Sequence, residues 1–169
     1  MRRIVVIAIC LAFVLSLAGC AKGGSGMGLF SGEKTVGKQI KQGDITKFYY
    51  TYSNINYNAF YQRYRFYVED GKYMFFHETR ERNNEYGPTT EKDITKTGTV
   101  ELTDEQWIAF YELLEGGTVV KRSESASTGD SGPWLYLYWK NDKGKIQEFS
   151  FASYDRRKAF EEFCGSLVE

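Results

Sequence analysis

The chain has few of the side chains from which catalytic and metal-binding sites are usually built. Its 169 residues include one histidine, three cysteines and two prolines. A structural zinc site needs about four Cys, His or carboxylate ligands at characteristic spacings, and the sequence contains no such cluster. It also contains no glycine-rich phosphate loop that opens a helix. We therefore expect no metal, no other cofactor and no nucleotide.

An excess of charge of either sign is also missing, since Lys and Arg number 22 and Asp and Glu number 22. A surface that binds the phosphates of nucleic acid needs a marked basic excess. The composition therefore argues against nucleic-acid binding.

The first twenty residues have the pattern of a secretory leader. Arg2 and Arg3 form a basic start, residues 4–15 are almost entirely apolar, and small residues follow. The apolar run is shorter than the roughly 20 residues that span a bilayer, which favours a removable signal over a membrane-spanning anchor. The tetrad Leu17-Ala18-Gly19-Cys20 resembles the lipobox of bacterial lipoproteins.

This resemblance implies that residues 1–19 are cleaved and that Cys20 becomes the first residue. It further implies a diacylglycerol thioether on Cys20, often with an N-linked acyl chain such as palmitate. Two or more acyl chains hold a protein firmly on a membrane. We therefore expect an extracytoplasmic, lipid-anchored protein, on a Gram-positive surface or, because Ala21 replaces the Asp of inner-membrane retention, on a Gram-negative outer membrane.

The remaining 150 residues suffice for one domain. Residues 20–44 are rich in glycine and lack a periodic apolar pattern, so we predict a flexible tether there and one globular domain over residues 45–169. Loss of Arg2 and Arg3 with the leader leaves 20 basic against 22 acidic residues. Cys164, which lies on an apolar helical stripe, is then the only free thiol and is expected to be buried.

The globular part is predicted to be an α+β domain, an antiparallel sheet of about six strands with two amphipathic helices packed on it. Asp70-Gly71 is typical of a tight hairpin turn, and a second hairpin is centred on residues 141–144. Thr103 and Gln106 form a capping box at the start of the first helix. Predicted strands cover residues 45–53, 60–69, 72–80, 94–102, 134–139 and 145–151, with a short one near Val119, and predicted helices cover residues 103–114 and 155–167.

Two features indicate binding surfaces. Ten of the twenty residues from Phe48 to Tyr67 are aromatic, more than the core is expected to bury. The alternative is that these rings fill the core and coat its edge. A basic triplet opens the last helix, where it opposes the helix dipole; it is either solvated charge or a contact for anionic lipid or cell-wall polymer. The candidate residues are Tyr49, Tyr50, Tyr52, Tyr57, Tyr61, Arg156, Arg157 and Lys158.

These observations favour a binding or interaction module of the cell envelope over an enzyme, with an envelope protein or glycan as its partner. A structural envelope component is one alternative. A hydrolase is another, because Gly129-Asp130-Ser131-Gly132-Pro133 resembles part of the nucleophile segment of chymotrypsin-type serine proteases, although the chain lacks that family's histidine setting. The mature chain also resembles small uncharacterised bacterial lipoproteins, a likeness that implies no activity.

Overall fold

The computed structural model describes residues 32–54, 60–82, 87–121, 133–142 and 147–168. The described chain forms one antiparallel sheet of eight strands in the order β1-β6-β8-β7-β2-β3-β4-β5. Residues from Gly32 onward belong to one compact unit. The strands are β1 (Lys34–Thr35), β2 (Ile45–Asn54), β3 (Phe60–Glu69), β4 (Lys72–Glu81), β5 (Ile94–Leu102), β6 (Thr118–Lys121), β7 (Trp134–Trp139) and β8 (Gln147–Ser150).

The hairpin between β3 and β4 has the predicted tight turn, which sets the register of the two strands. Asp70 and Gly71 both have positive φ angles, 51° and 78°, as a two-residue primed turn requires. Phe66 lies opposite Phe75 across this hairpin. Because neighbouring residues of a strand point to opposite faces, the turn also fixes which side chains face the core and which face away from it.

Two helices complete the predicted α+β architecture, α1 (Asp104–Leu114) and α2 (Tyr154–Ser166). The capping box of α1 is confirmed: the Thr103 hydroxyl accepts a hydrogen bond from the Gln106 backbone N–H at 3.2 Å, and Gln106 Oε1 accepts one from the Thr103 N–H at 2.9 Å. At the start of α2, the Ser153 hydroxyl accepts a hydrogen bond from the Arg156 backbone N–H at 3.2 Å. Within the described residues, neither helix has the length and hydrophobicity needed to cross a bilayer.

Both helices pack on the same face of the sheet, and an aromatic core fills the space between the helices and the sheet. Phe48 on β2 contacts Phe110 of α1 and Phe160 of α2, with ring centroids 5.7 Å and 5.3 Å away. Phe66 stacks on Phe110 at 4.0 Å. Cys164 is fully buried, as expected, and burial raises the pKa of its thiol.

The strand count and the start of the domain differ from the predictions. The sheet has eight strands rather than about six: β6 is the short strand predicted near Val119, and β1, which pairs with it at the edge of the sheet, was not predicted. Residues 34–44, predicted to belong to the tether, are part of the fold: Val36 and Ile40 are only 1% and 0% exposed. Val36 also exchanges backbone hydrogen bonds of 2.9 Å and 3.1 Å with Gly117 and Gly116. These apolar residues are isolated among glycines and charges, so no periodic pattern reveals them.

Candidate functional site

The sheet has a second face on which no helix of the described chain packs. Strand β7 shows this most clearly, since Leu135 and Leu137 are buried towards the helices whereas Trp134, Tyr136 and Tyr138 are half-exposed on the other side. The sequence left open whether this strand is covered on both sides or lies at an interface. The described structure leaves it uncovered on one side. We call this second face of the sheet the open face.

Aromatic and arginine side chains from four adjacent strands meet on the open face. Tyr49 on β2 lies opposite Arg65 on one side and Tyr136 on the other, and Arg65 lies opposite Phe76 on β4. The alternation of side chains along each strand places every second residue on this face. Its central residues are Tyr49, Thr51, Tyr61, Arg63, Arg65, Tyr67, Met74, Phe76, Glu78, Arg80, Trp134, Tyr136 and Tyr138.

Aromatic rings hold the arginines of the open face against the sheet. The Arg65 guanidinium lies 4.4 Å from the ring centroid of Tyr67 and 5.2 Å from that of Phe76. Arg63 and Arg80 lie 5.3 Å and 4.6 Å from the ring centroid of Tyr61. Cations within about 6 Å of a ring face are attracted by its quadrupole. These contacts limit the orientations that the guanidinium groups adopt.

Only one of these three arginines forms an ion pair with an acidic side chain of the described chain. Arg80 forms a 2.8 Å ion pair with Glu78, whose side chain is almost fully buried. Among the described acidic residues, none lies within 4.0 Å of the guanidinium nitrogens of Arg63 or Arg65. Arg63 and Arg65 therefore have no carboxylate at ion-pair distance in the described chain, although Glu78 lies opposite Arg63 across β3 and β4.

A cavity of about 340 Å³ lies at this point of the open face. Small-molecule sites generally have volumes of about 300 to 1,000 Å³ and combine aromatic walls with a few polar groups. The cavity has this composition and contains no carboxylate among its lining residues. We call it the open-face pocket. Its lining residues are Tyr49, Thr51, Arg63, Arg65, Phe76 and Tyr136.

A second cavity, of about 390 Å³, lies on the helix side of the sheet beside α2. In this α2 cleft the Tyr50 hydroxyl donates a hydrogen bond to Glu161 Oε1 at 2.7 Å, and Arg157 Nε lies 3.5 Å from the same oxygen. Burial and the Glu161 carboxylate raise the pKa of Tyr50 far above its ordinary value, so the phenol stays protonated. Tyr50 and Glu161 are thus hydrogen-bonded to each other, whereas Arg157 Nε lies at ion-pair distance from Glu161 but has no hydrogen-bond acceptor in the described structure. The cleft is lined by Tyr50, Tyr52, Phe60, Gln62, Tyr64, Pro133, Arg157 and Glu161.

The five tyrosines predicted to form one surface do not do so. Tyr49 and Tyr61 lie on the open face, whereas Tyr50 and Tyr52 line the α2 cleft on the opposite side of the sheet. Tyr50 is only 4% exposed, so for this residue the core alternative is correct. Tyr57 lies outside the described residues. The sheet separates rings that are close together in sequence, because successive strand residues point in opposite directions.

The basic triplet at the start of α2 is also divided among different surroundings. Arg156 Nη1 donates a 3.0 Å hydrogen bond to the Glu112 carbonyl near the end of α1. Arg157 lies in the α2 cleft beside Glu161, and Lys158 is exposed. The binding of anionic lipid or polymer by this triplet therefore stays a prediction.

Most residues of the open-face pocket were not predicted from the sequence. Arg63 and Arg65 occupy alternate positions of β3, and Trp134, Tyr136 and Tyr138 occupy alternate positions of β7. This alternation was visible in the sequence. The pocket was not, because it depends on β2 lying between β3 and β7, strands that are separated by more than sixty residues.

Of the residues on which a hydrolase would depend, the described structure includes His77. His77 is 6% exposed and lines neither cavity, and burial together with nearby Lys96 lowers its pKa. Its ring lies against Gly98, where a β-carbon added to the glycine would come within 2.8 Å of Nε2. Ser131 and Cys20 lie outside the described residues. Within those residues, no group of three or more His, Cys, Asp or Glu side chains is arranged to hold a metal ion.

Comparison with known proteins provides no relative from which a function could be transferred. The chain matches no protein-family model, no curated protein and no solved structure. Its function must therefore be inferred from the open face and from the leader sequence.

Proposed function

We propose that this protein is an extracytoplasmic lipoprotein, anchored through acylated Cys20, whose domain binds a component of the cell envelope through the open face. The leader pattern and the lipobox resemblance support the anchor. The open face supports binding, because half-exposed aromatic and arginine side chains are concentrated on a surface without a covering helix in the described chain. This concentration is the single observation that carries the proposal.

The composition of the open face is unusual for a sheet surface exposed to water. Such a surface ordinarily alternates apolar residues towards the core with polar residues towards solvent. Here the outward positions of β7 are Trp134, Tyr136 and Tyr138. Tyr, Trp and Arg are the side chains most enriched at binding hot spots, because they offer large contact areas and keep a polar group. The outward positions thus have the composition of a binding surface.

Removing two rings of the open-face pocket should weaken envelope binding. We expect the Tyr49→Ala/Tyr136→Ala variant to be retained at least about tenfold less by isolated envelope material, since truncating a hot-spot ring commonly costs more than 1 kcal/mol. The measurement is co-sedimentation of the chain from residue 21 to 169 with envelope fragments from its host. This chain keeps every buried residue of the described core and lacks the acylated cysteine.

A matched control is Tyr154→Ala, which removes a 63% exposed ring at the start of α2. It should leave retention unchanged. Circular dichroism of all three proteins checks that the sheet remains folded. Equal retention of the pocket variant and the unsubstituted chain would contradict the proposal.

The anchor is tested separately at Cys20. The Cys20→Ser variant should either leave the membrane fraction or accumulate with its leader uncleaved, because serine cannot form the thioether that carries diacylglycerol. Mass spectrometry of the N-terminal peptide of the unsubstituted protein should show the added acyl mass. The Cys164→Ser variant, which changes a buried thiol, serves as the control. An unmodified Cys20 in membrane-extracted protein would reject the anchor.

A further inference from the structure

We propose that the open-face pocket binds an acidic sugar residue of a glycan, with its carboxylate held by Arg63 and Arg65. The nonpolar face of the sugar ring would then pack on the aromatic walls of the pocket. This inference rests on the proposed function and specifies the chemical class of its ligand. Three observations support it: the positive charge of the pocket, the arrangement of the rings that line it, and the limited exposure of those rings.

The charge of the pocket favours an anion. Arg63 and Arg65 are two residues apart on β3, so their side chains project side by side from the same face of the sheet. Neither has a carboxylate partner within 4.0 Å among the described residues, and the one buried acid beside them, Glu78, is engaged by Arg80. Arg65 Nε is shielded from solvent and has no hydrogen-bond acceptor within the described structure. A planar guanidinium matches a carboxylate through two parallel hydrogen bonds.

The rings around these charges favour a flat, partly nonpolar ligand. Tyr49, Phe76 and Tyr136 line the same pocket as the two guanidinium groups. Tyr49 also packs edge-on against Tyr138, with ring centroids 5.9 Å apart, which restricts its rotation. Rigid rings lose little conformational entropy when a ligand packs on them. A sugar with a carboxylate substituent presents both a nonpolar ring face and an anionic group.

The limited exposure of the pocket's rings favours a glycan over a lipid surface as the ligand. Peripheral membrane contacts use protruding apolar side chains or clusters of four to eight basic residues. The rings of the open-face pocket are half-buried and lie among other side chains of the sheet. Large hydrophobic side chains with greater exposure include Ile108 on α1 and Tyr154 on α2, both outside the pocket. The pocket therefore offers a recess with two charges rather than a surface that inserts into lipid.

The experiment compares an acidic glycan with its neutral form. Isothermal titration of the chain from residue 21 to 169 uses a hexamer of galacturonic acid and, as its matched ligand, the methyl-esterified hexamer. We expect binding of the acidic hexamer, binding at least about tenfold weaker for the ester, and weakening of the acidic complex as salt is raised. Arg63→Gln and Arg65→Gln should each weaken binding of the acidic hexamer about tenfold.

The control variant is Arg156→Gln/Lys158→Gln, which removes two charges at α2 and should leave the affinity unchanged. Loss of binding in this variant, with no loss in the Arg63 and Arg65 variants, would place the anion site at α2 and overturn the inference. So would the absence of hexamer binding, or retention on phosphatidylglycerol vesicles that depends on Arg63 and Arg65 without hexamer binding.

The failure of this inference can be distinguished from the failure of the proposed function. If both hexamers bind equally, or neither binds, while envelope retention still falls in the Tyr49→Ala/Tyr136→Ala variant, the acidic-sugar assignment is wrong and the open face remains the binding surface. If envelope retention is unaffected by the tyrosine variant and by the arginine variants, both proposals are wrong.

Discussion

The Phe48→Ala variant is expected to lose about 3 to 5 kcal/mol of its free energy of unfolding, the range typical of large aromatic truncations in a core. Phe48 has no exposed surface, and its ring lies within 6.3 Å, centroid to centroid, of four other phenylalanine rings. Phe110 lies on α1, Phe160 on α2 and Phe149 on β8, and Phe151 follows β8 directly. Truncation therefore leaves a cavity where both helices meet the sheet, and neighbouring rings cannot close it without leaving their own partners.

Urea unfolding followed by circular dichroism measures this loss as a shift in the transition midpoint at constant slope. Ile108→Ala is the matched control, because it truncates a side chain on α1 that is 43% exposed. It should change the free energy of unfolding by less than about 1 kcal/mol. A similarly small change for Phe48→Ala would show that this ring is not at the centre of the core.

The second large effect is expected at Ile40, in the segment that sequence alone assigned to the tether. Ile40→Ala should lower the free energy of unfolding by about 2 to 5 kcal/mol, since the side chain is fully buried. Its backbone carbonyl also accepts a 2.9 Å hydrogen bond from the Gly37 N–H, which closes the loop after β1. Packing of Ile40 therefore fixes the edge of the sheet that β1 forms with β6.

The control for this prediction lies two residues away. Lys38 is exposed in the same loop, so Lys38→Ala should leave the transition midpoint within experimental error. A flexible tether would give no stability change for either substitution. Equal midpoints for Ile40→Ala and the unsubstituted chain would therefore restore the tether boundary near Asp44.

The secondary structure within the domain was largely predictable because its signals are local. The primed turn at Asp70-Gly71 fixed the register of β3 and β4, and the Thr103 capping box fixed the start of α1. The short strand β1 was missed because two residues of extended chain carry no periodicity. Its place in the sheet comes from antiparallel pairing with β6, in which Lys34 lies opposite Val119 and Thr35 opposite Thr118, residues more than eighty positions later.

The candidate site was predictable in composition but not in arrangement. An aromatic-rich stretch was evident between Phe48 and Tyr67, and it supplies Tyr49 and both arginines of the pocket. The same stretch also supplies Phe48, Tyr50 and Phe66, which are buried under the helices. Strand alternation sorts these neighbours between the two faces, and only the positions of α1 and α2 decide which face becomes the core.

The amino-acid sequence by itself determined the α+β class, most strand and helix positions and the expectation of a lipid anchor at Cys20, since each depends on a short pattern of adjacent residues. Tertiary structure alone decided where the domain begins, which tyrosines are buried, and that Arg63 and Arg65 share a pocket with Tyr136. The physical reason is the order of strands. A sheet places β7 beside β2 through backbone hydrogen bonds between distant segments, and no local pattern records that pairing.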